Sequence, residues 1–583
     1  MLQCDCEASA ALAAAALQGR TAVTQCLKYV QESSRHSAPV SFFGTNAAMR
    51  PPAEIGKDPM SNRLLYIPPI TLAFFSAAML FSQTADTPKS EEYLLLGSVD
   101  RGAGEPIVFV NPKDQNNILV VAMATLNQLP TGETPILPRG TPEATQLRIK
   151  ELSTPDGSRT DIAVTRDGGK TWEFSQDNLR KILEKNRCSD SFDGAGPDGT
   201  LYMGCLAYLN RGAADYARGY NPTNGEAAFY HGGSAIEWST DMGKTWSHPV
   251  WVHPADSPSL YAPTVHPVFE QASPWDRPYF VADASTGTIY VSGSGPTYTV
   301  DPKTVQRPKF DPSSPSKGYD GYPPASISRS RTYIRASHDQ ARTWGVIYPM
   351  DSDEYPGGRG AFSASFGNLV VAYGASKVPE SADAQCPCTV LGTSRDDGKT
   401  FHYTIIPPLP PQPQAEGARG GRGRGGRGGF GGGVMLAADP TKEGRYAIAR
   451  QSGQEIFMSI TQDGGKTWGA PVLAARLPEG ANFGQRAMKY SAKGVLGLIW
   501  KATYRDRSFD LWSAASRDGG SSFATVRVSH AVSPPYIRDR GNFMFGDDLS
   551  SLDIDDHYLH AVWGDNRAGF EGTWYGRVPL DAY

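Results

Sequence analysis

Carboxylates and guanidinium groups recur where strand-like runs begin along this chain. They are Glu105; Asp190 and Asp193; Asp276 with Arg277; Arg359; Arg486; and Arg540 with Asp547 and Asp548. Arginines brought to one mouth clamp a carboxylate or sulfate through paired hydrogen bonds. Two carboxylates about 5–9 Å apart can perform acid/base work on a glycosidic bond. For such chemistry Glu105, Asp193 and Asp547 are the acidic groups to consider, and Arg277, Arg486, Arg540, Arg359 and Asp276 the ligand-holding ones. The plain alternative for each is a charged residue that caps its strand or pairs with a neighbour.

Other chemistries find less support. Asp553, Asp555 and Asp556 crowd one turn, and calcium favours oxygen-rich loops; their spacing is not that of a twelve-residue calcium loop, and an exposed acidic turn is the plainer reading. The histidines, among them His231, His248, His253 and His266, show no paired-ligand spacing, which argues against a zinc hydrolase. Cys188, Cys205, Cys386 and Cys388 are an even set compatible with two disulfides, Cys188 with Cys205 being the first pairing to expect. Cys386-Pro387-Cys388 is shorter than the usual redox spacing and reads as structural.

What must position these groups is a repeated octapeptide. It reads TRDGGKTW at 165–172, STDMGKTW at 239–246, SHDQARTW at 337–344, SRDDGKTF at 394–401, TQDGGKTW at 461–468 and SRDGGSSF at 516–523. Asp167, Asp241, Asp339, Asp396, Asp463 and Asp518 can each accept hydrogen bonds from turn amides, and the glycine that follows supplies a conformation other residues resist. Thr or Ser returns the chain to β geometry, and the aromatic residue anchors the hairpin by burial. These aspartates are structural. Ala341 stands where the other copies have glycine.

The boxes recur on average about every 70 residues, with two strand-like runs before most of them. After the last box come SSLDI, YLHAVWG and TWYGRV, three strands without a fourth, while EYLLLG at 92–97 waits at the other end. The expectation is all-β: a β-propeller of four-stranded antiparallel blades, seven in number, closed by Glu92–Gly97 beside Thr573–Val578. Six blades with the last strands as an appendage is the other count considered. The 62 glycines and 45 prolines in 583 residues exceed the ordinary share of about 12% and suit a turn-rich β protein.

Residues 1–59 carry an alanine-rich run, three cysteines and no strand pattern, and read as an unstructured or mis-assigned extension. Residues 60–85 combine a short basic start, an apolar stretch and a small-polar exit, the pattern of a signal peptide, with a retained membrane anchor as its alternative. The propeller is expected over 86–583, in a secreted or periplasmic protein. Its 407–433 loop contains Arg419, Arg422, Arg424 and Arg427 among glycines, and reads as a flexible surface linker. With a net charge of −4, no nucleic-acid partner is expected.

The octapeptides resemble the Asp-boxes, or BNR repeats, of the sialidase (neuraminidase) superfamily. Three segments are similar to exported bacterial sialidase-like proteins: EPIVFVNPKDQNNILVVA at 105–122, DRPYFVADASTGTIYVS at 276–292 and HAVWGDNR at 560–567. The resemblance implies a propeller and either of two activities. One is recognition of glycans or of cell-surface or extracellular proteins at the central mouth; the other is exo-glycoside hydrolysis of an acidic glycan. It also implies an arginine triad for the sugar carboxylate, an acidic acid/base residue and a tyrosine nucleophile, for which Tyr536 is the tyrosine to consider. The Arg-Ile-Pro motif that opens the first inner strand in that family is Gly104-Glu105-Pro106 here, so its arginine position holds Gly104.

Overall fold

The computed structural model describes residues 89–98, 101–126, 158–176, 187–208, 232–253, 269–272, 276–300, 327–382, 384–409, 434–534 and 549–583. Residues 1–88, with the extension and the signal-like segment, lie outside them, as do Tyr536, Arg540, Asp547, Asp548 and the Arg-rich part of the 407–433 loop.

The strands form seven antiparallel sheets. Blade one is β2 (Arg101–Val110), β3 (Ile118–Leu126), β4 (Ser158–Thr165) and β5 (Glu173–Gln176), while β1 (Glu91–Leu96) belongs to another blade. Blade two is β6 (Arg187–Ala195), β7 (Leu201–Tyr208), β8 (Gly232–Ser239) and β9 (Val250–His253). Blade three adds a short strand, β10 (Phe269–Ala272), to β11 (Asp276–Ala282), β12 (Ile289–Val300), β13 (Ile327–Ser337) and β14 (Ile347–Pro349). Here the expectation of four strands is exceeded: the long β12 pairs with β11 along its first half and with β10 along its second.

Blade four is β15 (Gly357–Ser365), β16 (Asn368–Ala375), β17 (Cys388–Ser394) and β18 (His402–Ile406). Blade five is β19 (Val434–Ala438), β20 (Tyr446–Ser452), β21 (Glu455–Thr461) and β22 (Val472–Arg476). Blade six is β23 (Asn482–Tyr490), β24 (Leu496–Thr503), β25 (Phe509–Ser516) and β26 (Ala524–Arg527). In blade seven β27 (Ser550–Ile554), β28 (Tyr558–Asp565) and β29 (Gly572–Pro579) are completed by β1, which pairs antiparallel with β29, Tyr93 opposite Tyr575. The ring is a seven-bladed propeller closed by one early and three late strands.

The first strands of successive blades touch in cyclic order: β2, β6, β11, β15, β19, β23, β27 and back to β2. They line the axis. Because every sheet is covered on both faces by its neighbours, second strands read as continuous apolar runs. Ile118–Ala124 is buried throughout, and so are Leu369–Tyr373 and Leu498–Trp500.

Six octapeptides form the turns between third and fourth strands, with one geometry. The hydroxyl of the first residue donates to the Asp Oδ1 (Thr165 to Asp167, 2.7 Å; Ser516 to Asp518, 2.8 Å) and accepts from the amide of the fifth residue. The seventh residue donates its amide and its hydroxyl to the same carboxylate, as Thr467 does to Asp463 at 2.9 and 2.6 Å. These bonds hold the carboxyl group low: led by the Thr467 and Ser522 hydroxyls, they bring Asp463 and Asp518 down to about 2.

The fifth position has φ 87° at Gly169, 66° at Ala341 and 92° at both Gly465 and Gly520. It also docks on the preceding blade: a Cβ on Gly465 would stand 2.5 Å from Leu391, and one on Gly520 1.9 Å from Ile460. Ala341 fills this position with a methyl group that is fully buried among Phe192, Tyr202 and Ile236. The box aromatics are only half-buried, packed on blade clusters without being enclosed by them. Trp172 additionally donates its indole N–H to Tyr93 Oη at 2.8 Å, tying the first box to the closing strand.

Candidate functional site

First strands run from one mouth toward the box face, so turns between first and second strands join the boxes there. Connections between second and third strands, and between blades, fall on the opposite face. Loops gathered at one end of a rigid scaffold commonly carry its function.

The strands lining that mouth share a deformation. In β2, Glu105 and Pro106 together stand opposite Ala122; in β11, Arg277 and Pro278 stand opposite Gly293. In β15, Gly358 and Arg359 oppose Gly374, and in β23, Gly484 and Gln485 oppose Lys501. In β6, Asp190 is an extra residue between Ser189 and Ser191. Five of the seven first strands thus carry a β-bulge near the start. Bulges re-aim side chains and gather beside functional sites. Glu105 and Asp190 adopt φ 50° and 43°, backbone positions that L-residues seldom take.

Neighbouring blades fix these bulges. Before Glu105, Ala103 donates its amide to the Glu571 carbonyl at 3.1 Å, and its own carbonyl accepts from Thr573 Oγ1 at 3.1 Å. After it, Val110 donates its amide to Asp553 Oδ2 at 2.9 Å. Before Arg359, the buried pair Arg331–Asp351 (Nε to Oδ1, 2.7 Å) anchors the entry to β15, and Asp351 Oδ2 accepts the Gly357 amide at 3.0 Å. Glu105, Asp190 and Arg359 all have partners of their own.

Gln485 is the bulge residue that sequence reading passes over in favour of Arg486. It is buried, its Oε1 accepts from Ser550 Oγ of blade seven at 3.2 Å, and its amide nitrogen has no acceptor among the described residues. Arg486, one position on, reaches sideways and donates to Gln451 Oε1 of blade five at 3.0 Å; burial lowers its pKa. Arg277 contributes its backbone to the β11 bulge, as Asp276 does to the start of that strand; their side chains lie outside the described residues. A Gly-x sequence directly before an arginine at a strand start was the available signal for Gln485.

Asp193 sits inside β6, beyond the bulge and opposite Met203. Its Oδ1 accepts the Gly204 amide at 3.2 Å, and its Oδ2 has no partner among the described residues. Burial, only partly offset by the Gly204 amide, raises its pKa well above the usual carboxyl range.

The expectation of an exposed acidic turn is corrected. Asp553 and Asp555 are buried, not exposed, and the three aspartates point to separate partners: Asp553 to Lys489 at 2.8 Å, Asp555 to His560 Nε2 at 2.9 Å, Asp556 to Lys493 at 2.6 Å. Among the described residues no cluster of His, Cys, Asp and Glu is arranged for a metal. Cys386 and Cys388 are disulfide-bonded to each other. Cys205 is also disulfide-bonded, and the Cys188 side chain lies outside the described residues. No described helix is long and apolar enough to cross a membrane.

No family model matches the chain, and no curated protein does. Among solved structures it is similar to a protein of unknown function from Dyadobacter fermentans, with 11% identity, a TM-score of 0.40, and coverage of 84% of this chain and 99% of that one. It is also similar to Trypanosoma rangeli sialidase, with 11% identity and a TM-score of 0.42, covering 84% of this chain and 59% of that one. A third is the intramolecular trans-sialidase from Ruminococcus gnavus, with 14% identity and a TM-score of 0.36, covering 68% of this chain and 94% of that one. These are distant likenesses, and the site described above rests on this chain's own residues.

Proposed function

We propose that this protein is a sialidase-like exported propeller that recognises a glycan at its central mouth. The observation carrying this reading is the set of bulges at Glu105, Asp190, Arg277, Arg359 and Gln485 on five adjoining or facing first strands. A sugar offers hydroxyl and acidic groups at several points around a ring, and charged or amide side chains on a rigid scaffold match them without a deep apolar pocket. Hydrolysis is the less favoured reading, because it needs an exposed acid/base pair beside the clamp. Asp193, one of the acids assigned to it, is buried within its strand.

The test is a screen of the protein against sialosides and other anionic glycans, recording both binding and released sugar, with Arg277→Ala and Glu105→Gln alongside the parent. Binding without release, weakened about tenfold or more by Arg277→Ala, is the expected result. Release that disappears in Glu105→Gln while binding persists would replace recognition by catalysis. Absence of both would remove the glycan.

A further inference from the structure

The second-to-third-strand connection of blade four, on the mouth face, carries the sequence Cys386-Pro387-Cys388, whose two sulfurs are bonded to each other. A structural disulfide stabilises mainly by closing a loop in the unfolded chain, and its effect grows with the loop it closes. This one spans a sequence separation of 2 and joins no two elements of the fold. The strands around it are held without it: Cys388 begins β17 opposite Ala375 of β16, and the Ser376 amide donates to the Pro356 carbonyl at 3.0 Å. Cys388 packs on the cluster formed by blades three and four, whereas Gln385 and Pro387 on either side of Cys386 are exposed, and both cysteines are within reach of solvent. Accessible disulfides are the labile and catalytic ones.

We propose that Cys386–Cys388 is a thiol–disulfide exchange site that oxidises dithiols presented at the mouth face. A substrate thiolate attacks Cys386 Sγ; the S–S bond breaks and its electron pair leaves on Cys388 Sγ. The second substrate thiolate then attacks the substrate sulfur of the mixed disulfide and expels Cys386 as a thiolate. The substrate loses two electrons and two protons and gains a disulfide; the protein gains two electrons, and the two protons end on its cysteines. Each molecule oxidises one equivalent, because its own disulfide is the oxidant.

The experiment uses the full chain and follows each cysteine by differential alkylation and peptide mapping, so that Cys4, Cys6 and Cys26 do not enter the reading. In a graded glutathione buffer, Cys386 and Cys388 are expected to become alkylatable at a ratio that leaves the Cys205 disulfide closed; equal or greater resistance than Cys205 overturns the proposal. Dithiothreitol and a reduced peptide with two cysteines form the second arm. One equivalent of either should be oxidised roughly tenfold faster than by Cys386→Ser/Cys388→Ser; oxidation of the peptide alone supports the site and specifies a peptide substrate. Equal rates in parent and variant overturn it. The doubly substituted protein should melt at the parent temperature, and a lowered melting temperature would return the bond to a structural role.

Discussion

Glu92 and Arg567, from opposite ends of the propeller sequence, form a two-pronged ion pair, Nη1 to Oε1 and Nη2 to Oε2, both at 2.8 Å. Arg567 also lies over the Trp574 ring at 3.9 Å, and Glu92 accepts the His530 amide at 2.8 Å. One guanidinium therefore joins the closing strand β1 to the second and third strands of its blade. Removing Glu92 takes away both bonds of the fork and leaves Arg567 only the carboxylate of Asp565, 2.9 Å from its Nε. Glu92→Ala should cost about 3 kcal/mol in urea unfolding. Arg567→Lys should recover only part of the parent stability, because an ammonium cannot reproduce the fork.

The boxes predict an acid limb. Asp463 and Asp518 have folded pKa values of about 2, below an unfolded value of about 3.9. Their contribution is present above pH ~4 and disappears as pH falls through ~2, where both states are protonated. Urea midpoints measured across this window should fall steeply in the parent and less so in Asp463→Asn/Asp518→Asn. Parallel curves would show that the box carboxylates do not govern the transition.

The fifth box position is tested from both sides. Gly520→Ala puts a methyl group into Ile460 at φ 92° and should cost about 2 kcal/mol. Ala341→Gly relieves a left-handed alanine and empties a buried methyl site, so the two effects oppose and the net change should stay within about 1 kcal/mol. Thermal melts of the two variants check this, a large loss in Ala341→Gly being the contrary result.

Asp193 predicts a slope of the opposite sign. Its folded pKa lies above the unfolded one, so the folded state binds the extra proton and stability falls as pH rises from ~4 toward the folded pKa, by about 1.4 kcal/mol per unit. Asp193→Asn should remove that slope and be more stable than the parent at neutral pH. An unchanged slope in urea titrations would locate the titrating group elsewhere.

Much of the architecture was legible in consecutive residues. Ser/Thr-x-Asp-x-Gly-x-Thr/Ser-aromatic encodes its own turn, because donor, acceptor and positive-φ position all lie within eight residues. The unpaired TWYGRV and the stranded EYLLLG implied each other by counting strands. The placement of Glu105, Asp190, Arg277 and Arg359 in first strands also followed from the order of the strand-like runs.

What only the tertiary structure decided are relations between distant strands. Whether Glu105 and Pro106 share one partner, or Gln485 rather than Arg486 occupies a bulge, depends on register against the next strand. The local pattern of alternating side chains does not specify a one-residue insertion in that register. The exposed acidic turn read at Asp553–Asp556 failed for a related reason: Lys489 and Lys493 come from blade six, and His560 from the adjoining strand, to claim its carboxylates. Charge and exposure at a site are set by what packs against it, and in a closed ring that is the neighbouring blade.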